Sequence, residues 1–125
     1  MLASIILAAA TAAPVPAPVT HAALDVPQEH GAQVVIVQSR DFPAGAEAGW
    51  HIHPGTETAV IVSGTMEMIT AGGVRRYGPG ESFPMPRGMA HNGLNVGSET
   101  ARVVITLVVD KGAPPRQSVP APGSR

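Results

Sequence analysis

Hydrophobic and polar positions alternate along the middle of the chain with a period of two residues. Successive side chains of a β-strand point to opposite faces, so this period predicts strands, whereas a helix repeats every 3.6 residues. The longest alternating segment, residues 101–109, places five apolar residues on one face: Ala101, Val103, Ile105, Leu107 and Val109. The same pattern or a β-branched run predicts shorter strands over residues 33–38, 58–62, 65–70, 74–77 and 81–85.

Turn-forming residues separate these segments. The chain contains 14 glycines and 13 prolines, among them the runs at residues 71–73 and 78–80. Short strands punctuated in this way, with no segment of helical period between them, predict an all-β sandwich or barrel. Closure into a barrel is favoured, because it removes the free strand edges of a flat sheet. The length of 125 residues accommodates one domain.

Composition narrows the class of protein further. Hydrophobic residues make up 44% of the chain but aromatic residues only 3%, so the core is predicted to be aliphatic. The formal net charge is −1 and the basic residues are scattered, which argues against a nucleic-acid partner. The chain has no cysteine, which excludes disulfides, thiolate nucleophiles and thiolate-bound zinc.

The two ends of the chain differ from the middle. Residues 2–13 form an apolar run too short to span a bilayer, and small residues before a cleavage site after Ala22 make residues 1–24 resemble a signal peptide. Export to the periplasm or medium is therefore expected; the alternatives are a disordered Ala/Pro tail of a cytoplasmic protein, or translation that begins further upstream. Residues 113–125 are rich in proline and predict a disordered tail, which leaves a folded unit at residues 28–112.

Three histidines and a glutamate form the candidate site. His51 and His53 are two residues apart in an extended segment, so both rings project from one face about 7 Å apart at Cα. Glu57 follows after a bend, and His91 arrives from a distant strand. Imidazole nitrogens with one carboxylate suit a divalent transition metal such as Mn, Fe, Co, Ni, Cu or Zn. For each histidine taken singly, a hydrogen-bonded barrel residue is the alternative.

These two segments resemble the paired motifs of the cupin superfamily. The first motif matches at Gly45, His51, His53, Glu57 and Gly64, and the second at Gly80, Pro86, Gly88, His91 and Asn95. The resemblance implies a single-domain antiparallel jelly roll, or double-stranded β-helix, of six to eight strands. It also implies one divalent metal ion (Mn, Fe, Ni, Cu or Zn) held by His51, His53, Glu57 and His91, with Asn95 as a turn residue and not a ligand.

Two further features have competing interpretations. Met66, Met68, Met85 and Met89 flank the site segments; thioethers suit Cu(I), but methionine more often fills gaps in a core. Side chains at odd and even positions of a strand point to opposite faces, and the site residues of the first motif are at odd positions. Four apolar residues at even positions are therefore predicted to face outward: Trp50, Ile52, Val60 and Val62. This apolar face predicts a homodimer, with a covering strand from the same chain as the alternative.

Three classes of function are consistent with these observations. The first is a metal-dependent enzyme of the oxygenase, isomerase or decarboxylase type acting on a small organic substrate; no catalytic residue is assigned, and Glu67, Tyr77 and Glu81 are the acid–base candidates. Arg75, Arg76 and Arg87 are candidates for holding an anionic substrate. The second is a ligand-binding or sensory protein whose metal is structural. The third, a pure interaction module, leaves the four candidate ligands unexplained. The fold alone does not decide between them.

Overall fold

A computed structural model of the chain describes residues 16–20, 23, 26 and 31–123. Within these residues the chain forms nine β-strands and no helix. The strands are β1 (Gln33–Phe42), β2 (His51–Ile52), β3 (Gly55–Ser63), β4 (Met66–Thr70), β5 (Gly73–Tyr77), β6 (Ser82–Met85), β7 (His91–Asn95), β8 (Ala101–Asp110) and β9 (Gln117–Ser118).

The strands form two sheets with antiparallel pairing throughout. One sheet has the order β1-β8-β3-β6 and the other the order β5-β4-β7-β2-β9. This is the predicted all-β jelly roll, so the fold class is confirmed. The strand count exceeds the expected six to eight because β2 and β9 contain two residues each. Segments of that length are too short to show a period of two.

The core lies between the sheets and is built mainly on β8. This strand pairs with β1 on one side and with β3 on the other. Its five predicted inward residues are all buried, as are Ala59 and Ile61 of β3. Methionine and aromatic side chains complete the core: Phe42, Met66, Met68, Tyr77, Phe83 and Met85. Three of the four methionines flanking the site thus fill the core, in agreement with the structural interpretation.

The outer face of the first sheet is partly apolar. Val60 and Val62 are 41% and 51% exposed, and Val35 and Val37 of β1 are also exposed. The outward direction predicted for Val60 and Val62 is therefore correct. Trp50 and Ile52 are only half-buried because the C-terminal segment lies beside them. The homodimer stays a prediction.

The C-terminal segment differs from its predicted disorder. Residues 113–119 run along the edge of the second sheet, where β9 pairs with β2. The backbone N–H of Val119 donates to the carbonyl of Trp50 at 3.0 Å, and the Arg116 side chain donates to the carbonyl of Ala48 at 2.6 Å. The segment supplies main-chain partners to an otherwise unpaired edge, which needs no hydrophobic pattern and so left no signal in the sequence. We call residues 113–119 the C-terminal strap.

Asn95 closes the end of β7. Its Nδ2 donates to the carbonyls of Phe42 at 2.8 Å and Glu99 at 2.7 Å, and its Oδ1 accepts from the N–H of Gly97 at 2.9 Å. The side chain is buried, and these bonds hold the β7–β8 turn against the end of β1. The sequence interpretation of Asn95 as a turn residue agrees with this position.

Most of the predicted signal peptide lies outside the described residues. Residues 16–20, 23 and 26 belong to no strand or helix. In the described part of the chain there is no helix of sufficient length and hydropathy to cross a membrane.

Candidate metal centre

The four residues singled out from the sequence meet at one point inside the barrel. His51 lies on β2 directly opposite His91 on β7. His53 follows β2 in the connection to β3, and Glu57 comes from β3 in the other sheet. All four side chains are buried. The cluster therefore joins the two sheets of the jelly roll.

The ligand atoms of this cluster converge. One nitrogen from each histidine and one carboxylate oxygen lie within 4.8 Å of one another. Glu57 Oε2 is 3.0 Å from His53 Nε2 and 3.1 Å from His91 Nε2. The four residues thus form a cluster able to bind a metal ion.

Backbone carbonyls fix the orientation of each imidazole ring. Nδ1 of His51 lies 2.7 Å from the carbonyl oxygen of Gly49, Nδ1 of His53 2.6 Å from that of Pro115, and Nδ1 of His91 2.8 Å from that of Met89. A carbonyl oxygen only accepts hydrogen bonds, so each Nδ1 carries a proton and donates it. The Nε2 atoms are then left with lone pairs facing the cluster. This outer hydrogen bond is the usual support of a metal-bound histidine.

The inner atoms lack any other partner. Although they are close together, His53 Nε2, His91 Nε2 and Glu57 Oε2 are buried and make no hydrogen bond of acceptable geometry with the described residues. A buried polar atom without a partner costs about 1–3 kcal/mol. A divalent cation at the centre would satisfy all three at once, and nitrogen with carboxylate donors suits a transition metal. The chemistry of these residues therefore fits the predicted divalent metal ion.

The members of the metal-free cluster differ in their affinity for protons. Burial lowers the pKa of His51 to about 4, which keeps this ring neutral. Burial opposes ionisation of Glu57, but its contacts with His53 and His91 outweigh that effect and lower its pKa to about 2. Burial likewise lowers the pKa of His53, yet the contacts with Glu57 and with the Pro115 carbonyl leave it above its usual value. The cluster thus holds an ionised carboxylate among imidazoles.

A cavity of about 490 Å³ opens onto the cluster. His51, His53 and Glu57 line it, together with apolar side chains of β1 and β8 and the charged side chains of Arg40 and Arg116. A smaller cavity of about 30 Å³ lies deeper in the barrel and also meets His51, Glu57 and His91. The cluster is therefore reachable from the larger cavity.

The other polar candidates lie elsewhere. Arg76 pairs with Glu67 at 2.8 Å, and Arg87 pairs with Asp110 through two bonds of 2.7 and 2.9 Å. Glu81 accepts from the N–H of Gly78, while Tyr77 is buried against Phe83. Arg75 packs over the Tyr77 ring. None of these six acid–base or anion candidates lines the large cavity.

Two residues that line the cavity, Arg40 and Arg116, were not predicted from the sequence. Arg116 belongs to the segment predicted to be disordered. Arg40 lies four residues from Ile36 and two from Phe42, on the inward face of β1. The alternation of β1 could have indicated this face, but the predicted strand ended at residue 38. The Pro115 carbonyl that orients His53 left no sequence signal.

Comparisons with known proteins give a consistent result. A family model described as a cupin domain matches residues 39–109, more than half of the chain. No curated protein sequence matches the chain significantly.

Several solved structures are similar to the chain. An oxalate oxidase in complex with the substrate analogue glycolate is 29% identical with a TM-score of 0.60, over 68% of this chain and 46% of its own. The chain thus spans less than half the length of that oxidase. An uncharacterized conserved protein with a double-stranded β-helix domain from Klebsiella pneumoniae is 25% identical with a TM-score of 0.58, over 66% of this chain and 72% of its own. The polyketide cyclase RemF from Streptomyces resistomycificus shares the fold at 20% identity and a TM-score of 0.60, over 78% and 69%.

Proposed function

Since the chain belongs to the cupin family, we propose that it holds one divalent transition metal through His51, His53, Glu57 and His91 and uses it on a small organic molecule. The metal is one of Mn, Fe, Ni, Cu or Zn. When bound, such an ion supplies Lewis-acid or redox chemistry. The reaction is of the oxygenase, isomerase or decarboxylase type.

The observation that carries this proposal is the cavity beside the cluster. Structural metal sites are closed by protein ligands, whereas catalytic sites keep a position open to substrate. Three of the four proposed ligands line a cavity of about 490 Å³. That volume lies within the range of about 300–1,000 Å³ that is typical of small-molecule sites.

The residues around the cluster have defined roles in this proposal. The carbonyls of Gly49, Pro115 and Met89 hold the three rings so that Nε2 faces the metal position. Glu57 offsets part of the positive charge of the ion. Ile105 and Leu107 form an apolar wall that limits access of water to that side of the cavity.

One relative supports an enzymatic function over a structural metal. The oxalate oxidase structure contains glycolate, an analogue of the substrate of that enzyme. At 29% identity it is similar to this chain in more than the fold. The chain covers under half of it, so the reaction of the oxidase is not carried over.

The first experiment measures metal content and its accessibility. Protein purified without a His tag is expected to contain about one transition-metal ion per chain by plasma mass spectrometry. The visible spectrum of cobalt-substituted protein is expected to change when small organic molecules enter the cavity, because a molecule that binds at an open position changes the coordination of the ion. Absence of metal under every loading condition would overturn the proposal. Stoichiometric metal with a spectrum that no small molecule alters would favour the structural role.

Metal affinity is expected to fall as the pH decreases. Metal must displace a proton from His53, whose contacts with Glu57 and Pro115 outweigh burial and raise its pKa. Below that pKa the apparent affinity drops by about tenfold per pH unit for the one displaced proton. His51, with a pKa of about 4, and Glu57, with a pKa of about 2, add to the competition only in stronger acid. Competition with a chromophoric chelator between about pH 8 and about pH 5 measures this dependence; an unchanged affinity would contradict it.

A further inference from the structure

Two arginines face the large cavity without a carboxylate partner among the described residues. The guanidinium of Arg40 packs over the Phe42 ring, 4.8 Å from its centroid. Arg116 donates only to neutral acceptors, at 2.6 Å to the carbonyl of Ala48, 3.4 Å to that of Gly49 and 3.2 Å to the hydroxyl of Ser118. Both line the cavity that opens onto His51 and Glu57.

Three other arginines of the described chain are neutralised locally. Their guanidinium groups lie 2.7–2.8 Å from carboxylates in the pairs Arg76–Glu67, Arg87–Asp110 and Arg102–Asp41. Of the arginines that the structure describes, those without a carboxylate partner are Arg40 and Arg116 at the cavity and Arg75 on the second sheet.

The remaining wall of the cavity is largely apolar. Ile36, Ala48, Ile105 and Leu107 supply it, with Gln38 as a neutral polar residue. The ionised Glu57 also lines the cavity, but its charge faces the proposed metal; the two cations beside a hydrocarbon wall match a molecule that has both an anionic end and an apolar body. A planar guanidinium pairs with a carboxylate through two parallel hydrogen bonds. Inorganic phosphate also pairs with arginine but has no apolar part to bury.

We infer that the cavity binds a small organic carboxylate, with its carboxylate held by Arg40 and Arg116 and its hydrocarbon part against Ile36 and Leu107. This inference rests on the proposed function, because it names the class of molecule that the metal site would act on. The two arginines are positioning and specificity residues. Arg116 reaches the cavity only because the C-terminal strap docks beside β2.

Calorimetric titration of the zinc-loaded chain tests the inference with three probes. Butyrate is expected to bind, and butyramide, which has the same shape without the charge, to bind at least about tenfold more weakly, since hydrogen bonds to charged groups are the stronger class. Inorganic phosphate is expected to bind more weakly than butyrate. Equal binding of butyrate and butyramide, or phosphate binding as tight as butyrate, would overturn the inference.

Matched variants assign the effect to the two arginines. R40Q and R116Q are each expected to weaken butyrate binding about tenfold. R75Q removes the same charge from an arginine that packs over Tyr77 outside the cavity, and is expected to leave butyrate binding unchanged. R116K keeps the charge and is expected to restore part of the affinity. Thermal unfolding identifies any variant that has lost its fold, and unaltered butyrate binding in folded R40Q and R116Q would refute the assignment.

The metal content of each sample separates this inference from the proposed function. Both arginine variants are expected to retain the zinc of the wild type, because neither residue belongs to the four-residue cluster. If the wild type contains full metal but binds butyrate, butyramide and phosphate equally, the carboxylate site is refuted and the metal proposal stands. A chain without metal would refute the proposed function, and butyrate titration of that metal-free chain would still test the arginine pair.

Discussion

Replacing His91 with alanine is expected to abolish stoichiometric metal binding and to destabilise the barrel. His91 is 1% exposed and pairs across the strands with His51, and its Nε2 lies 3.1 Å from Glu57 Oε2. Losing an outer partner of a metal-bound histidine already weakens affinity about 10- to 100-fold, so loss of a proposed ligand should exceed about a hundredfold. In the metal-free protein, replacing this fully buried ring with alanine leaves a cavity, which costs about 2–5 kcal/mol.

Metal analysis after dialysis and a thermal unfolding curve measure these two effects separately. Asn92→Ala is the control on the same strand: Asn92 is buried and bonds to Glu47 at 3.0 Å but lies outside the cluster. It should lose stability while retaining metal. Glu57→Gln removes the buried charge at nearly constant volume and should lose metal with a smaller change in stability than His91→Ala. Full metal occupancy in the folded His91→Ala protein would refute the assignment of this residue.

Gly64→Ala is expected to destabilise the fold far more than Gly80→Ala. The two glycines have nearly the same backbone conformation, with φ of 79° and 80°. At Gly80 an added Cβ meets nothing within 4 Å, so alanine incurs only the left-handed backbone cost of about 1–2 kcal/mol. At Gly64 the Cβ would lie 2.6 Å from the Cα of Ala101, a fully buried residue at the start of β8. Overpacking there adds about 1–3 kcal/mol.

Urea unfolding of the two variants and the wild type gives the comparison directly. A domain of this kind has a free energy of unfolding of only about 5–15 kcal/mol, so the larger loss would be visible as a strong shift in the midpoint. Since the two substitutions share the conformational term, their difference isolates the contact with β8. Equal midpoints for the two variants would show that β3 and β8 can separate at this point without cost.

The glycines illustrate what the sequence could predict. Gly45, Gly64, Gly80 and Gly88 were identified by their motif positions alone, and the structure gives the reason: each has a positive φ. The inward face of β8 was predictable because ten residues contain several repeats of the alternating pattern. The meeting of His51 and His53 followed from their two-residue spacing, and the approach of Glu57 and His91 from the motif register.

The rest depended on the path of the chain in three dimensions. The two-residue strands β2 and β9 are defined by main-chain pairing, which any extended sequence can make. Arg116 comes beside the cluster because of that pairing, although it lies 59 residues after Glu57 in the chain. Disorder was predicted for the proline-rich segment because it lacks a hydrophobic pattern. Whether a sheet edge is available to pair with the segment depends on the fold and is not visible in its composition.

The bond between His53 and Pro115 has a consequence for the order of folding. Its two residues are 62 positions apart, so the ring of His53 is fixed only when the C-terminal strap has docked. Loop closure over such a separation is slow compared with local pairing, and the hairpin of β4 and β5 can form much earlier. The strap also follows β8 in the chain, so during synthesis it is the last of these segments to emerge, and the ring of His53 lacks its Pro115 partner until then. Full metal affinity would then be reached only after the strap has docked, so the uptake of metal would report on that step of maturation.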